Sequence, residues 1–185
     1  MTKKTLFSTK TIVATGLGAA LFMVLFMFIK IPSPIPETSL QIAYGVSAFF
    51  GAVFGPICGA LVAFIGHSLS DSIVYGAPWW SWVVASGVAG LFSGVAYFFI
   101  DINNGKITKS EFIKFCIINI VGTFIAWVVV APVLDIVIYS EPASLVFAQG
   151  ALAFALNTLC SLVIGGFLLV AYAKTKTTKG SLSKN

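Results

Sequence analysis

The chain has 185 residues, is 58% hydrophobic and 14% aromatic, and carries charge on only 9% of its positions, against about 25% in a soluble globular domain. That composition excludes a water-soluble domain and points to an integral membrane protein. The net charge of +5 comes from lysine without any arginine; a charge bias across a bilayer and contact with anionic lipid headgroups account for it, so no nucleic acid is invoked.

Uncharged stretches cover residues 11–29, 38–70, 72–100, 116–134 and 142–173, each near or beyond the roughly 20 residues that cross a bilayer as a helix. The polar segments 101–114 and 174–185 are too short to bury a core of their own. At the amino end, MTKKTLFSTKTIVATGLGAALFMVLFMFIK places lysines ahead of an apolar run. The run exceeds a signal-peptide core and no small-residue cleavage site precedes the prolines, so a retained first helix is preferred to a cleaved signal. Inside it, ATGLGAALF sets Ala14 four residues before Gly18 and Gly16 four before Ala20. This spacing lets helices approach closely, either within the bundle or against a partner protein in the membrane. Next comes KIPSPIPETS, with Pro32, Pro34 and Pro36 ahead of Glu37; prolines cannot continue a helix, so a loop is expected.

Two uncharged stretches are too long for one helix and contain breakers, Gly55-Pro56 in one and Gly76-Ala77-Pro78 in the other. Six transmembrane helices follow, over 11–30, 39–54, 57–74, 79–100, 112–138 and 144–172, in a single all-α membrane domain spanning 1–185. Cytoplasmic loops are enriched in lysine. With both termini inside, Lys3, Lys4, Lys10, Lys106, Lys109, Lys114, Lys174, Lys176, Lys179 and Lys184 are cytoplasmic and Lys30 alone lies outside.

Ionisable residues inside a membrane are costly and mark function by default. Here they fall towards the outer side. In helix 3, GHSLSD brings His67, the only histidine, four residues before Asp71, which puts both on one helical face. Asp135 sits near the end of helix 5, Gln41 begins helix 2, and Glu37 and Glu141 lie in or beside outer loops. On helix 6, Gln149 and Asn157 share a face with Ala153. Tyr44, Tyr75, Trp79, Trp80 and Trp82 surround these positions and can stack on a flat ligand. Other readings stand beside these: an interfacial belt for the tryptophans, a packing pair for His67 and Asp71, a snorkelling Asp135, and interhelical hydrogen bonds for Gln149 and Asn157.

Catalytic and metal signatures are weak or missing. One histidine cannot make a bis-histidine haem site and matches zinc spacing poorly. Cys58, Cys116 and Cys160 are scattered, odd in number and without a CxxC pair, so neither a disulfide framework nor a metal cluster is indicated. No Gly-rich phosphate loop occurs in a strand-turn-helix setting. The chain is expected to be no enzyme and to need no cofactor or metal of its own.

With the amino-end lysines, the small-residue first helix, IPSPIPETSLQIAYG, FGPICGALVAFIGHSLSD and YGAPWWSWVVASGVAG in view, the chain resembles the substrate-binding S components of energy-coupling factor (ECF) transporters, in particular the riboflavin-transporter-like branch. The resemblance covers essentially the whole chain in length and span count. It implies a multi-pass subunit in a prokaryotic cell membrane that captures a vitamin-like micronutrient on the outer side. It implies as partners a transmembrane coupling (T) protein and two ABC-type ATPases, which alone use ATP. Ala14 and Gly18, overlapped by Gly16 and Ala20, match the family's coupling-protein contact, with glycine in place of the expected alanine. The proline loop, with Pro32, Pro34, Pro36 and Glu37, matches a gate over the ligand. The expected ligand contacts are His67, Asp71, Asp135, Gln149, Asn157 and Gln41, with Trp79, Trp80 and Tyr44 stacking. A site with two aspartates and a histidine suits a donor-rich or cationic ligand such as a thiamine-related pyrimidine; riboflavin, a nucleoside and a cobalamin stay open. A proton-coupled carrier using His67, Asp71 and Asp135 as a relay, and a ligand-free membrane scaffold, are the alternatives.

Overall fold

A computed structural model describes residues 6–176 of the chain; Lys3, Lys4, Lys179 and Lys184, which the charge argument used, lie outside the described residues. The first helix, α1 (Thr9–Phe28), starts at Ser8, whose hydroxyl accepts from the Thr11 amide at 3.1 Å and satisfies an otherwise orphaned donor. The chain does not continue as helix to Lys30. Instead Lys30–Pro32 (β1) pairs antiparallel with Ser39–Gln41 (β2), in the register Lys30↔Gln41, Ile31↔Leu40 and Pro32↔Ser39. The three prolines between 32 and 36 explain this, since none offers the amide that a helix would need. The second helix, expected from 39, is therefore shorter: α2 runs Ala43–Phe54.

Gly55 and Pro56 do break the chain where the sequence suggests. Gly55 has φ +104° and ψ 172°, a conformation open essentially to glycine, and Pro56 opens α3 (Pro56–Val74) at the position where its missing amide costs nothing. A turn with Gly76 at φ +83° leads to α4 (Trp80–Val95). Two short 3₁₀ turns follow, and Thr108 with Glu111 caps α5, each side chain bonding the other's backbone amide. Helix α5 (Lys109–Tyr139) has 31 residues and α6 (Ala143–Lys174) has 32, or roughly 47 Å each at 1.5 Å per residue. Both contain wider π-helical turns, at Ile125–Val130 and Asp135–Tyr139 in α5 and at Ser161–Gly165 in α6.

Five of these six helices are long and apolar enough to cross a membrane. Helix α2 is not: its 12 residues reach about 18 Å, and it lies within the bundle, packed by α1, α3, α4 and α6. Lipid has no advantage over protein for an apolar side chain, so close fit holds the helices together. The fit is close along a glycine seam between α2, α3 and α4. A Cβ on Gly94 would stand 2.2 Å from Pro56 Cα, and one on Gly90 would stand 2.1 Å from the Gly59 carbonyl oxygen.

Successive helices alternate in direction, which places the hairpin at one end of the bundle and the first and last described residues at the other. There Lys10 stands over the Phe54 ring at 5.8 Å and Phe49 meets Tyr172 at 5.6 Å. Lys10, Lys106, Lys109, Lys114, Lys174 and Lys176 sit towards that end, and Lys30 at the hairpin end.

Candidate functional site

Alternation of the helices brings the carboxyl ends of α1, α3 and α5 to the hairpin together with the amino ends of α2, α4 and α6. A cavity of about 510 Å³ opens between them, with the hairpin as one wall. Each predicted ligand contact lines it except Trp80: His67, Asp71, Asp135, Gln149, Asn157, Gln41, Trp79 and Tyr44 are all present. Pro32, Pro36 and Glu37 line it as well, whereas Pro34 stays outside. Charge on the wall is lopsided, with the carboxyl groups of Glu37, Asp71, Asp135 and Glu141 against the single lysine Lys30.

The sequence pairing of His67 with Asp71 persists in space. His67 Nε2 lies 3.4 Å from Asp71 Oδ1, both side chains being buried. The other imidazole nitrogen, Nδ1, is 2.7 Å from Ser86 Oγ, which is also 2.9 Å from the Tyr44 hydroxyl. A short chain of polar groups thus ties α3 to α4 and α2. Phe26 covers the imidazole at 4.3 Å between ring centres.

The two aspartates meet at the amino end of α4. Asp71 Oδ2 accepts from the Trp79 backbone amide at 3.1 Å. Asp135, at the first residue of a π-helical turn and 1% exposed, accepts from three donors: Trp79 Nε1 at 2.7 Å, Trp82 Nε1 at 2.6 Å, and the Ser81 hydroxyl. Four residues on, the Tyr139 hydroxyl takes the Trp80 amide at 3.1 Å, and the Tyr139 ring stacks on Trp79 at 4.3 Å. Carboxylates are favoured there, because the first amides of a helix lack partners and carry partial positive charge. Asp135 does not snorkel; its carboxylate holds the indoles of Trp79 and Trp82.

Trp80 departs from expectation. It is 46% exposed, faces Phe64 at 6.2 Å and takes no part in the cavity wall. Trp82, two residues on, points inward in its place and stacks at 5.6 Å on Trp127 of α5. Trp127 is fully buried beneath the cavity and meets Tyr44 edge-on at 5.0 Å. Phe26, Trp127 and Tyr139 were missed from sequence: Phe26 and Trp127 sit in apolar runs without a polar neighbour that singles them out, whereas Tyr139, four residues after Asp135 and beside Ser140 and Glu141, had a signal that could have found it. On α1, Ala14 and Gly18 face the bundle, where a Cβ on Gly18 would stand 2.7 Å from Val62, while Gly16 meets nothing within 4 Å. Gly16 and Ala20 are exposed beside Ile12, Val13, Leu17, Leu21 and Val24.

A cavity of this size, with aromatic walls and a few placed polar groups, fits the general form of a small-molecule site. Comparison with known proteins bears on the fold and the family. A curated relative from Streptococcus gordonii, a UPF0397 protein, is 50% identical over 98% of this chain and 97% of its own length. Among solved structures, FolT bound with folic acid superposes with a TM-score of 0.61 over 86% of this chain and 95% of that one, at 14% identity. The S component for biotin from an ECF-type ABC transporter gives 0.60 over 86% and 89%, also at 14%; at that identity both likenesses concern the fold. The family model described as "ECF-type riboflavin transporter, S component" matches residues 6–174, so the chain belongs to the S-component family of ECF transporters.

Proposed function

We propose that the chain is the capture subunit of an ECF-type importer and binds one flat, vitamin-like heteroaromatic molecule in the cavity beneath the hairpin. The observation that carries this reading is the cavity itself. Its volume of about 510 Å³ is bounded by Phe26, Tyr44, Trp79 and Trp82, with Asp71, His67, Gln149 and Asn157 among them. Aromatic faces give contact area, and the few polar groups fix orientation. The hairpin acts as the gate, tied at its base by Lys30, which stands 6.0 Å from the Tyr75 ring. Asp135 is filled by three internal donors, whereas Asp71 meets only the His67 imidazole and the Trp79 amide, so Asp71 keeps more acceptor capacity for a ligand presenting N–H donors or positive charge.

The lysine-rich end faces the cytoplasm by the positive-inside bias, which places the hairpin and cavity outside. The exposed face of α1 around Gly16 and Ala20 meets the coupling protein, and the ATPases that act through it release the ligand inward. Ala14 and Gly18 pack the bundle itself.

Mass spectrometry of compounds that co-purify with the full chain in detergent tests capture, followed by binding measurements with riboflavin, thiamine and its pyrimidine precursor, nucleosides, folate, biotin and cobalamin. A compound present with the wild type and lost with Asp71→Asn and with His67→Ala supports the reading. Absence of any co-purified compound, with no binding across the panel, would sink it and favour a carrier or a scaffold.

A further inference from the structure

Two side chains of α6 reach across to the hairpin, and each bonds its backbone. Gln149 Nε2 donates to the Pro36 carbonyl at 3.1 Å, and Asn157 Oδ1 accepts from the Gln41 amide at 3.2 Å. The partners leave no choice of orientation. A backbone carbonyl only accepts, so Gln149 must present nitrogen to the hairpin; a backbone amide only donates, so Asn157 must present oxygen. What remains of each group is therefore fixed and opposite in character: an acceptor, Oε1, on Gln149 and a pair of donors, the Nδ2 amino group, on Asn157. Neither remaining group has a partner among the described residues, and both side chains line the cavity.

We infer that Gln149 and Asn157 fasten the hairpin to α6 through its backbone, and that this fastening aims an acceptor near the mouth and donors deeper in the cavity. Closing the gate then also sets the hydrogen bonds offered to the ligand. With the hairpin lifted, both amides are free to rotate and the pattern is lost. Eight residues separate the two positions, about 12 Å along the helix, so a ring system lying along α6 is read at both ends. The ligand this selects carries acceptor atoms, such as a ring carbonyl or imine nitrogen, on its deep edge and an N–H or amino group at its outer edge. The turn itself is tight: Glu37 adopts φ +58°, a left-handed conformation uncommon outside glycine, and the Ser33 amide donates to the Thr38 carbonyl at 3.1 Å.

The inference rests on reading the cavity as a ligand site, but its test needs no ligand, so the two fail separately. Backbone amide exchange is followed in the full chain in detergent at pH 8, reading the hairpin amides Ser33, Thr38 and Gln41. Asn157→Leu removes the acceptor and is expected to speed exchange at Gln41 by about 3- to 10-fold, the range one hydrogen bond supports. Asn157→Asp keeps an oxygen towards Gln41 and leaves exchange near the wild-type rate. Gln149→Glu, almost identical in shape, brings a carboxylate against the Pro36 carbonyl and speeds exchange at Ser33 and Thr38 as much as Gln149→Leu does. This asymmetry between two isosteric acid substitutions is the signature of the orientation. Equal effects of Asn157→Asp and Asn157→Leu, or unchanged exchange in both leucine variants, would overturn the inference. Exchange in α2 and α3, read in the same spectra, reports whether a variant has lost its fold, and Gln149→Glu with Asn157→Asp then decides the matter without the leucine variants.

Discussion

Two asparagines, Asn119 and Asn157, show how the halves of the bundle differ. Asn119, in α5, is fully buried; its Oδ1 accepts from Ser93 at 2.7 Å and its Nδ2 donates to the Phe115 carbonyl at 2.8 Å. Both ends are engaged, and the residue joins α4 to α5. Asn157, in α6, uses one end only and turns the other to a cavity. In the same packed half Thr123 and Thr158 bond each other at 2.7 Å, whereas the Gln149 carbonyl oxygen at the hairpin end has no partner among the described residues. Polar groups serve packing where every bond is closed, and under the proposed function they serve recognition where one is left open.

Three substitutions sharpen that contrast. The largest effect is expected at the hairpin end from Asp135→Ala, which strands two indole N–H groups and the Ser81 hydroxyl. Each buried donor left unsatisfied costs about 1–3 kcal/mol; Ser81 is buried and Trp82 half-buried, while Trp79 is 42% exposed, so thermal stability in detergent falls by about 2–4 kcal/mol and indole emission shifts as Trp79 and Trp82 come loose. Unchanged emission would contradict the clamp. Asn119→Leu is smaller: it leaves the Ser93 hydroxyl with its Ala89 carbonyl acceptor at 2.9 Å and costs about 1–2 kcal/mol, read as a lower thermal midpoint. Ligand binding and hairpin exchange stay as in the wild type, and a loss of binding at constant fold would erase the division between the halves. The smallest effect belongs to Trp80→Phe, within about 0.5 kcal/mol as for most surface changes, with ligand affinity retained. A tenfold loss of affinity would return Trp80 to the site.

The sequence carried the helical punctuation well. Gly55-Pro56 and Gly76 interrupt apolar runs with residues whose backbone preferences are unlike those of their neighbours, and both breaks are real. His67, Asp71 and Asp135 were legible as inward-facing because lipid tolerates such groups poorly. The hairpin was not legible: strands of three residues give too little alternation to register. Nor was the choice between Trp80 and Trp82, since two positions along a helix differ by about 200° in direction and which one faces inward depends on where α4 begins. The engagement of Asp135 depends on the same amino end, some 54 residues away in sequence from Ser81. Trp127 lay hidden because an apolar run gives no sign of which side chain lies beneath a cavity.

The wide turn at Ser161–Gly165 has a consequence of its own. A π-helical turn holds one residue more than an α-helical one, so the helix beyond it is rotated by about 100° relative to an uninterrupted course. Upstream, Gln149 and Asn157 address the hairpin; downstream, the fully buried Leu169 belongs to the core cluster that holds Ala48, Ala52 and Val53 of α2. One inserted residue lets a single rod keep two faces, and its removal would force α6 to choose between gripping α2 and holding the hairpin.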